Sequence, residues 1–198
     1  MKEPLYWNHN TAYYKWIKRQ VADCKSILDV GCGDGSLVAY LDDGTKNLIG
    51  IDVDFSCISK ANVENKSPNT QFICCGFEDY ETRQSYDAII FVASIHHMDM
   101  TVAVERAKAL LSPNGILIIV GLAIPSTVAD YVIEGLRILP CKIISKQKHM
   151  RSSEKLNIPV SYHLPPLNEV RDISSRVLPH AIIKYGLYYR YLLEWTKQ

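Results

Sequence analysis

The sequence predicts a three-layer α/β fold built on a mostly parallel sheet. Three observations carry this. From about residue 26 to 122, short β-branched runs alternate with stretches of helical spacing, the pattern of strands joined by covering helices. The runs 86–92 and 116–122 are apolar almost throughout, as strands buried on both faces must be. A glycine-rich turn, Gly31 to Gly35, follows the first strand and opens a helix.

The elements follow in order. Ser26 to Val30 reads as the first strand, and a helix runs through Leu37 and Leu41 after the turn. Asn47 to Ile51 is the second strand, with a helix from about Ser56 to Asn65. Gln71 to Cys74 is a short third strand and Tyr86 to Val92 a fourth. Thr101 to Leu111 carries apolar residues at helical spacing. Ser112-Pro113-Asn114-Gly115 is a turn, because proline presets φ and Asn-Gly tolerates positive φ. Ile116 to Leu122 is the fifth strand, and Ser126 to Leu139 a helix expected to stop at Pro140. Residues 140–168 form a polar excursion of the kind that more often serves as a lid than as idle loop. A helix near Asn168 to Val177 precedes two closing strands, Ala181 to Tyr185 and Tyr189 to Thr196. A tight turn at Gly186 would pair these two as an antiparallel hairpin at the sheet edge. One domain is expected over 1–198, with an N-terminal capping helix (1–25), a core (26–122), an insertion (123–180) and the hairpin (181–198).

Bulk composition narrows the classes. The chain has 198 residues, 47% apolar and 22% charged, with a net charge of +1, so no global field draws it to nucleic acid or an anionic membrane. The longest apolar run, Ile116 to Ile124, is far short of the ~20 residues that cross a bilayer. The first residues lack the apolar stretch of a secretion signal. Cysteines 24, 32, 57, 74, 75 and 141 show no C-x-x-C spacing, which argues against zinc or a disulfide framework. All but Cys32 read as small buried hydrophobes in a reducing compartment, and the expected location is the cytoplasm. No feature fixes an oligomeric state.

The turn Asp29-Val30-Gly31-Cys32-Gly33-Asp34-Gly35 lies at the carboxyl end of its strand, where open α/β sheets bind ligands. Glycines there let a ligand approach the backbone without interference from Cβ. A dinucleotide fingerprint needs a third glycine where this chain has Ser36. Asp29 and Asp34 flank the loop; they would repel a diphosphate and attract an ammonium. Asp52 ends the second strand, 17 residues after Gly35, where a carboxylate accepts hydrogen bonds from ribose hydroxyls. Its alternative role as a helix cap suits Asp54 or Ser56 better.

These residues resemble a known family. Ile27 to Gly35, then Gly50-Ile51-Asp52, look like the first two motifs of class I S-adenosylmethionine-dependent methyltransferases. Tyr86 to Met98 is similar to the family's fourth-strand motif, and Leu110 to Leu117 to its entry into the fifth strand. The resemblance covers about 26 to 122. It implies a Rossmann-like, seven-stranded sheet with an antiparallel last strand, S-adenosylmethionine as cofactor and S-adenosylhomocysteine as product. It implies that Asp29, Gly31, Cys32 and Gly33 line the methionine end, that Asp52 and Val53 meet the ribose, and that Ala93 borders the site. The family places an acidic residue against the adenine after the third strand; this chain has Gly76 there, leaving the Phe77 backbone and Glu78 or Asp79 to serve.

The acceptor is less legible. His96 and His97, at the end of the fourth strand, are candidate bases, since imidazole titrates near neutrality. The competing reading packs one under a loop and bonds the other to a backbone carbonyl. The motif beside them, Ala93-Ser94-Ile95-His96, is not the Asn/Asp-Pro-Pro-aromatic motif of enzymes that methylate base amines. Tyr13 or Tyr14 is placed to cover the methionine end, with Trp16 packing the leading helix. Residues 137–155 carry six Lys/Arg against Glu154, a run that reads mainly as a solvated face. The expected activity is methyl transfer to O or N of a small molecule. RNA or protein methylation, a cofactor-binding scaffold without turnover, and an NAD enzyme are the alternatives.

Overall fold

The computed structural model describes residues 8–147 and 164–198, with backbone only for 138–147. Seven strands form one sheet in the order β3-β2-β1-β4-β5-β7-β6. They are β1 (Ser26–Val30), β2 (Asn47–Asp52), β3 (Thr70–Cys74), β4 (Tyr86–Val92), β5 (Leu111–Leu122), β6 (Ile182–Tyr185) and β7 (Arg190–Thr196). Strands β1 to β5 pair in parallel, while β7 runs antiparallel to both of its neighbours, β5 and β6. The strand order reverses between β1 and β4, and that switch point is where a doubly wound sheet opens a crevice for ligand.

Helices cover both faces. On one lie α1 (Tyr14–Gln20), α2 (Ser36–Leu41) and α3 (Phe55–Glu64), which bury Ile17, Leu37, Val38, Leu41, Ile58 and Ala61 with Ile27, Leu48 and Ile90 of the sheet. On the other, α4 (Met100–Leu110) and α6 (Leu167–Val177) bury Ala103, Val104, Ala107 and Val170 against Leu28, Ile89, Phe91 and Leu193. The split follows from strand geometry, since successive side chains point to opposite faces. The three-layer, seven-stranded, mostly parallel expectation therefore holds. The predicted strands recur within a residue or two of their observed bounds, except the fifth, which starts at Leu111 rather than Ile116.

Four local expectations need correction. Helix α5 (Val128–Gln147) continues through Pro140 rather than stopping there. The carbonyl deprived of a partner belongs to Leu136, an exposed residue, so the penalty of an internal proline is reduced. The predicted turn at Ser112–Gly115 is absorbed into β5 as an irregularity between its pairings to Tyr86 and Ala88, with Asn114 at φ 61°. There Asn114 and Gly115 bond Lys197, which aligns β7. The β6–β7 turn takes its left-handed backbone from Tyr188 (φ 61°) and Tyr189 (φ 57°), not from Gly186. Gly186 instead makes room, since a Cβ there would lie 2.6 Å from the Tyr13 hydroxyl. Finally, of the excursion 140–168, residues through Gln147 are helical, while 148–163, with three of the six cations of the basic run, fall outside the described residues.

One buried charge ties the N-terminal helix to the sheet. Lys46 is 3% exposed, and its ammonium donates to the carbonyls of Val21, Ala22 and Cys24 just past α1. A cation at a helix C-terminus satisfies carbonyls left without intrahelical partners. Lys46→Met is expected to lower stability by about 3 kcal/mol, because three buried acceptors lose one charged donor. Urea unfolding checks this; a loss under ~1 kcal/mol would mean that water replaces the ammonium freely.

Candidate active site

A cleft of about 700 Å³ opens at the carboxyl ends of β1, β2 and β4. The turn after β1 forms its floor. Gly31 and Cys32 donate backbone N–H to the Ile51 carbonyl (2.8 and 3.0 Å), and Gly33 N donates to Asp52 Oδ2 (2.8 Å). Gly31 sits at φ 74° with no space for a side chain: a Cβ would lie 2.3 Å from Ser94 Cβ. Ser94 in turn donates to the Val30 carbonyl at 2.5 Å, locking the loop after β4 onto the end of β1. Ala93, just before it, holds φ 54°, a conformation costly for a residue with a Cβ and one that clusters at functional sites.

Asp52 accepts from both flanks, Gly33 N on Oδ2 and Asp54 N on Oδ1 (2.9 Å). Its carboxylate keeps further lone pairs toward the cleft it lines. Asp54 takes the capping role, accepting from Ser56 N and Cys57 N at the start of α3. Asp29 is buried at the cleft wall, and burial, then the nearby Asp52 charge, pushes its pKa up to about 8. Asp34 departs from expectation. It forms an ion pair with Lys60 (3.0 Å), so the loop presents Asp29 rather than two free carboxylates to a cation.

The remaining predicted residues line the same cleft. Val53, Gly76, Phe77, Glu78 and Asp79 border the β2–β3 side. The Phe77 ring is committed to the core, edge-on to Phe91 (5.5 Å between centroids). Tyr14 closes the N-terminal side, its hydroxyl 2.8 Å from Ser36 Oγ, and Trp16 packs onto the α1–α3 face as expected. Cys32 is buried, and burial drives its thiol pKa well up; Cys74, expected inside, is exposed because the third strand is an edge. Sequence reading missed Asn8 and Asn10, which also line the cleft.

The two histidines part company. His97 is exposed on the cofactor-side cleft. His96 turns to a second cavity of about 380 Å³, lined by Ile95, Met98, Met100, Pro165, Ile173 and Tyr191 among others. Its Nδ1 is buried without a hydrogen-bond partner among the described residues, and burial, then His97 and Arg190, push its pKa down to about 4. Met98 borders both cavities.

A mostly parallel sheet with one reversed strand, a glycine turn at its switch point and a carboxylate at the tip of β2 define a Rossmann-like fold of the nucleoside-binding type. Residues 28–119 match the family described as methyltransferase domain. An uncharacterized methyltransferase of Mycobacterium tuberculosis is 27% identical over 199 residues, spanning 96% of both chains. A ubiquinone biosynthesis O-methyltransferase of Bradyrhizobium diazoefficiens is 28% identical over 96 residues, 47% of this chain and 38% of that one. The plantazolicin methyltransferase BpumL, solved with a substrate analogue and S-adenosylhomocysteine, superposes with a TM-score of 0.65 at 19% identity, over 93% of this chain and 81% of that one. The family match spans a little under half of the chain, and over it the chain is similar to methyltransferases, whose fold it shares.

The raised Asp29 pKa has a sign that can be worked out. In the folded protein the carboxyl holds its proton from the ordinary value of 3.8 up to about 8, so stability without ligand declines as pH rises through that window. An ammonium bound at Asp29 would favour the ionised form, so a ligand that places one there would release a proton on binding. Affinity for S-adenosylhomocysteine is expected to rise between pH 6 and 8, by at most about tenfold per unit. Calorimetry in buffers of different ionisation enthalpy should register the released proton, and Asp29→Asn should abolish both effects. A pH-independent affinity in the native protein would remove Asp29 from the ammonium site.

Proposed function

We propose that the protein is a class I S-adenosylmethionine-dependent methyltransferase that transfers the cofactor's methyl group to an oxygen or nitrogen atom of a small-molecule acceptor. The observation that carries this is the second cavity. Its volume is about 380 Å³, its lining sets Ile95, Met100 and Ile173 beside His96, Asp99, Thr101 and Glu169, and Met98 borders both it and the cofactor cleft. Concave sites of that size, with a few convergent polar groups, suit small molecules rather than extended chains. The name of the Bradyrhizobium relative, an O-methyltransferase, agrees with such an acceptor. The five cysteines among the described residues are all free, in keeping with action in the reducing cytoplasm.

When bound, the cofactor supplies an electrophilic methyl on a sulfonium. The chain's own residues then bind, orient and exclude water. Asp52, with Val53 beside it, receives the ribose; Gly31, Cys32 and Gly33 bring backbone close to the methionine portion, and Asp29 takes its ammonium. Ala93 closes the floor, Phe77 and Glu78 border the adenine, and Tyr14 covers the methionine end. His97, exposed on the cleft, removes the proton of the acceptor. His96, neutral because it is buried, orients the acceptor by hydrogen bond rather than by charge. Among the described residues, 8–25 cap the cofactor, and 123–147 with 164–180 build the acceptor side of one domain.

Calorimetric titration with S-adenosylmethionine, S-adenosylhomocysteine and NADH, followed by label transfer to phenols, amines, peptides and tRNA, tests the reading. Micromolar binding of the first two and label on a phenol or amine are expected. Label on tRNA or peptide alone would replace the small acceptor, and binding without transfer to any acceptor would mark a scaffold.

A further inference from the structure

Arg190 opens β7 and is 8% exposed. Its Nη1 donates to the Tyr188 carbonyl (2.9 Å), its Nη2 donates to Asn10 Oδ1, and its Nε has no hydrogen-bond partner among the described residues. Among the described residues no carboxylate lies within ion-pair distance of it. A guanidinium buried without a counter-charge is costly, and such a charge persists where something offsets it.

The contact with Asn10 decides which way that amide faces. A guanidinium has donors only, so Asn10 must present its oxygen to it, leaving the Asn10 NH₂ group to point elsewhere. Asn8 is constrained alike: its Oδ1 accepts from Asn10 N and Thr11 N, both at 2.9 Å. Both residues line the cofactor cleft. The N-terminal rim therefore offers two amide donors to the cleft, with a buried positive charge behind one of them. Asp29, at the start of the glycine turn, and Asp52, at the tip of β2, contribute carboxyls to the same cleft. A cleft so divided matches an amino acid end, which carries one group of each sign.

We propose that Asn8 and Asn10 bind the carboxylate of the cofactor's methionine portion, and that Arg190 is the positioning residue that fixes the Asn10 amide and adds positive potential. The assignment rests on S-adenosylmethionine as the cofactor. It explains how a residue from the far end of the chain, 180 positions from Asn10, tunes the cofactor site.

The test compares two probes, S-adenosylhomocysteine and 5′-methylthioadenosine, which share the nucleoside but differ in the amino acid end. Titrations are run on the full chain, on Asn10→Ala and on Asn10→Asp. The aspartate variant keeps a partner for Arg190, so it preserves the fold while placing a negative charge at the rim. Asn10→Ala is expected to weaken S-adenosylhomocysteine about tenfold, and Asn10→Asp more than that. Affinity for 5′-methylthioadenosine should stay within about twofold in both. A structural role alone would move both ligands together, and that result, or no change in either, overturns the proposal. Failure of the native protein to bind either compound would strike at the cofactor assignment itself and take this one with it.

Discussion

Asp52→Ala is expected to weaken S-adenosylhomocysteine binding by at least about a hundredfold while leaving the protein folded. Two effects add. The proposed ribose contact loses two charge-assisted hydrogen bonds, each worth about 1.5–3 kcal/mol. The Gly33 and Asp54 N–H groups also lose the carboxylate that now holds the glycine turn against the β2–α3 connection, at 2.8 and 2.9 Å. Asp52→Asn, which keeps one acceptor and drops the charge, should fall between the two proteins. Calorimetry alongside a thermal melt separates ligand loss from unfolding. An affinity within about threefold of the native value, with the melt unchanged, would exclude Asp52 as the ribose ligand.

Gly31→Ala should be nearly as severe, through a different cause. The added methyl group would sit 2.3 Å from Ser94 Cβ, and Ser94 cannot retreat without breaking its 2.5 Å bond to the Val30 carbonyl. The backbone is also left-handed at φ 74°, which costs a residue with Cβ about 1–2 kcal/mol. With overpacking of about 1–3 kcal/mol, the expected loss is about 2–5 kcal/mol of stability, and a displaced turn that binds cofactor poorly. Gly33→Ala is the control. Among the described residues, nothing beyond its chain neighbours lies within 4 Å of its would-be Cβ, so it should lose only the about 1–2 kcal/mol of its own left-handed backbone, φ 54°. Urea denaturation of both variants decides, and equal stabilities would show that the β1 and β4 loops slide freely.

Much of the fold was legible because its signals are local. Apolar runs set β4 and β5, and glycines between a strand and a helix can be read without knowing what lies opposite. The cofactor-side residues, Gly31, Gly33 and Asp52, are readable for the same reason: their chemistry follows from position at a strand tip. What escaped reading depends on partners distant in sequence. Asp34 looks free until Lys60 folds onto it from α3. Asn10 looks like any loop asparagine until Arg190 arrives from β7. His96 and His97 are neighbours in sequence, yet a short helical turn over Ile95–His97 sends them to different cavities, which residue spacing alone does not reveal. Pro140 was taken as a stop because the local rule is strong, but the rule concerns one hydrogen bond and not the whole helix.

The reversed strand β7 bears on how the molecule behaves among its own copies. Strand β5 is the longest in the sheet and its 116–120 stretch is nearly all branched aliphatic, a sequence that would template strand addition were it exposed. With β4 on one side and β7 on the other, it has no free edge. The two edges that remain belong to the five residues of β3 and the four of β6, and β6 carries Lys184 paired with Glu194. Short edges, one of them bearing a charge, give a neighbouring chain little to zip onto, so the order of strands that assembles the cleft also guards against aggregation.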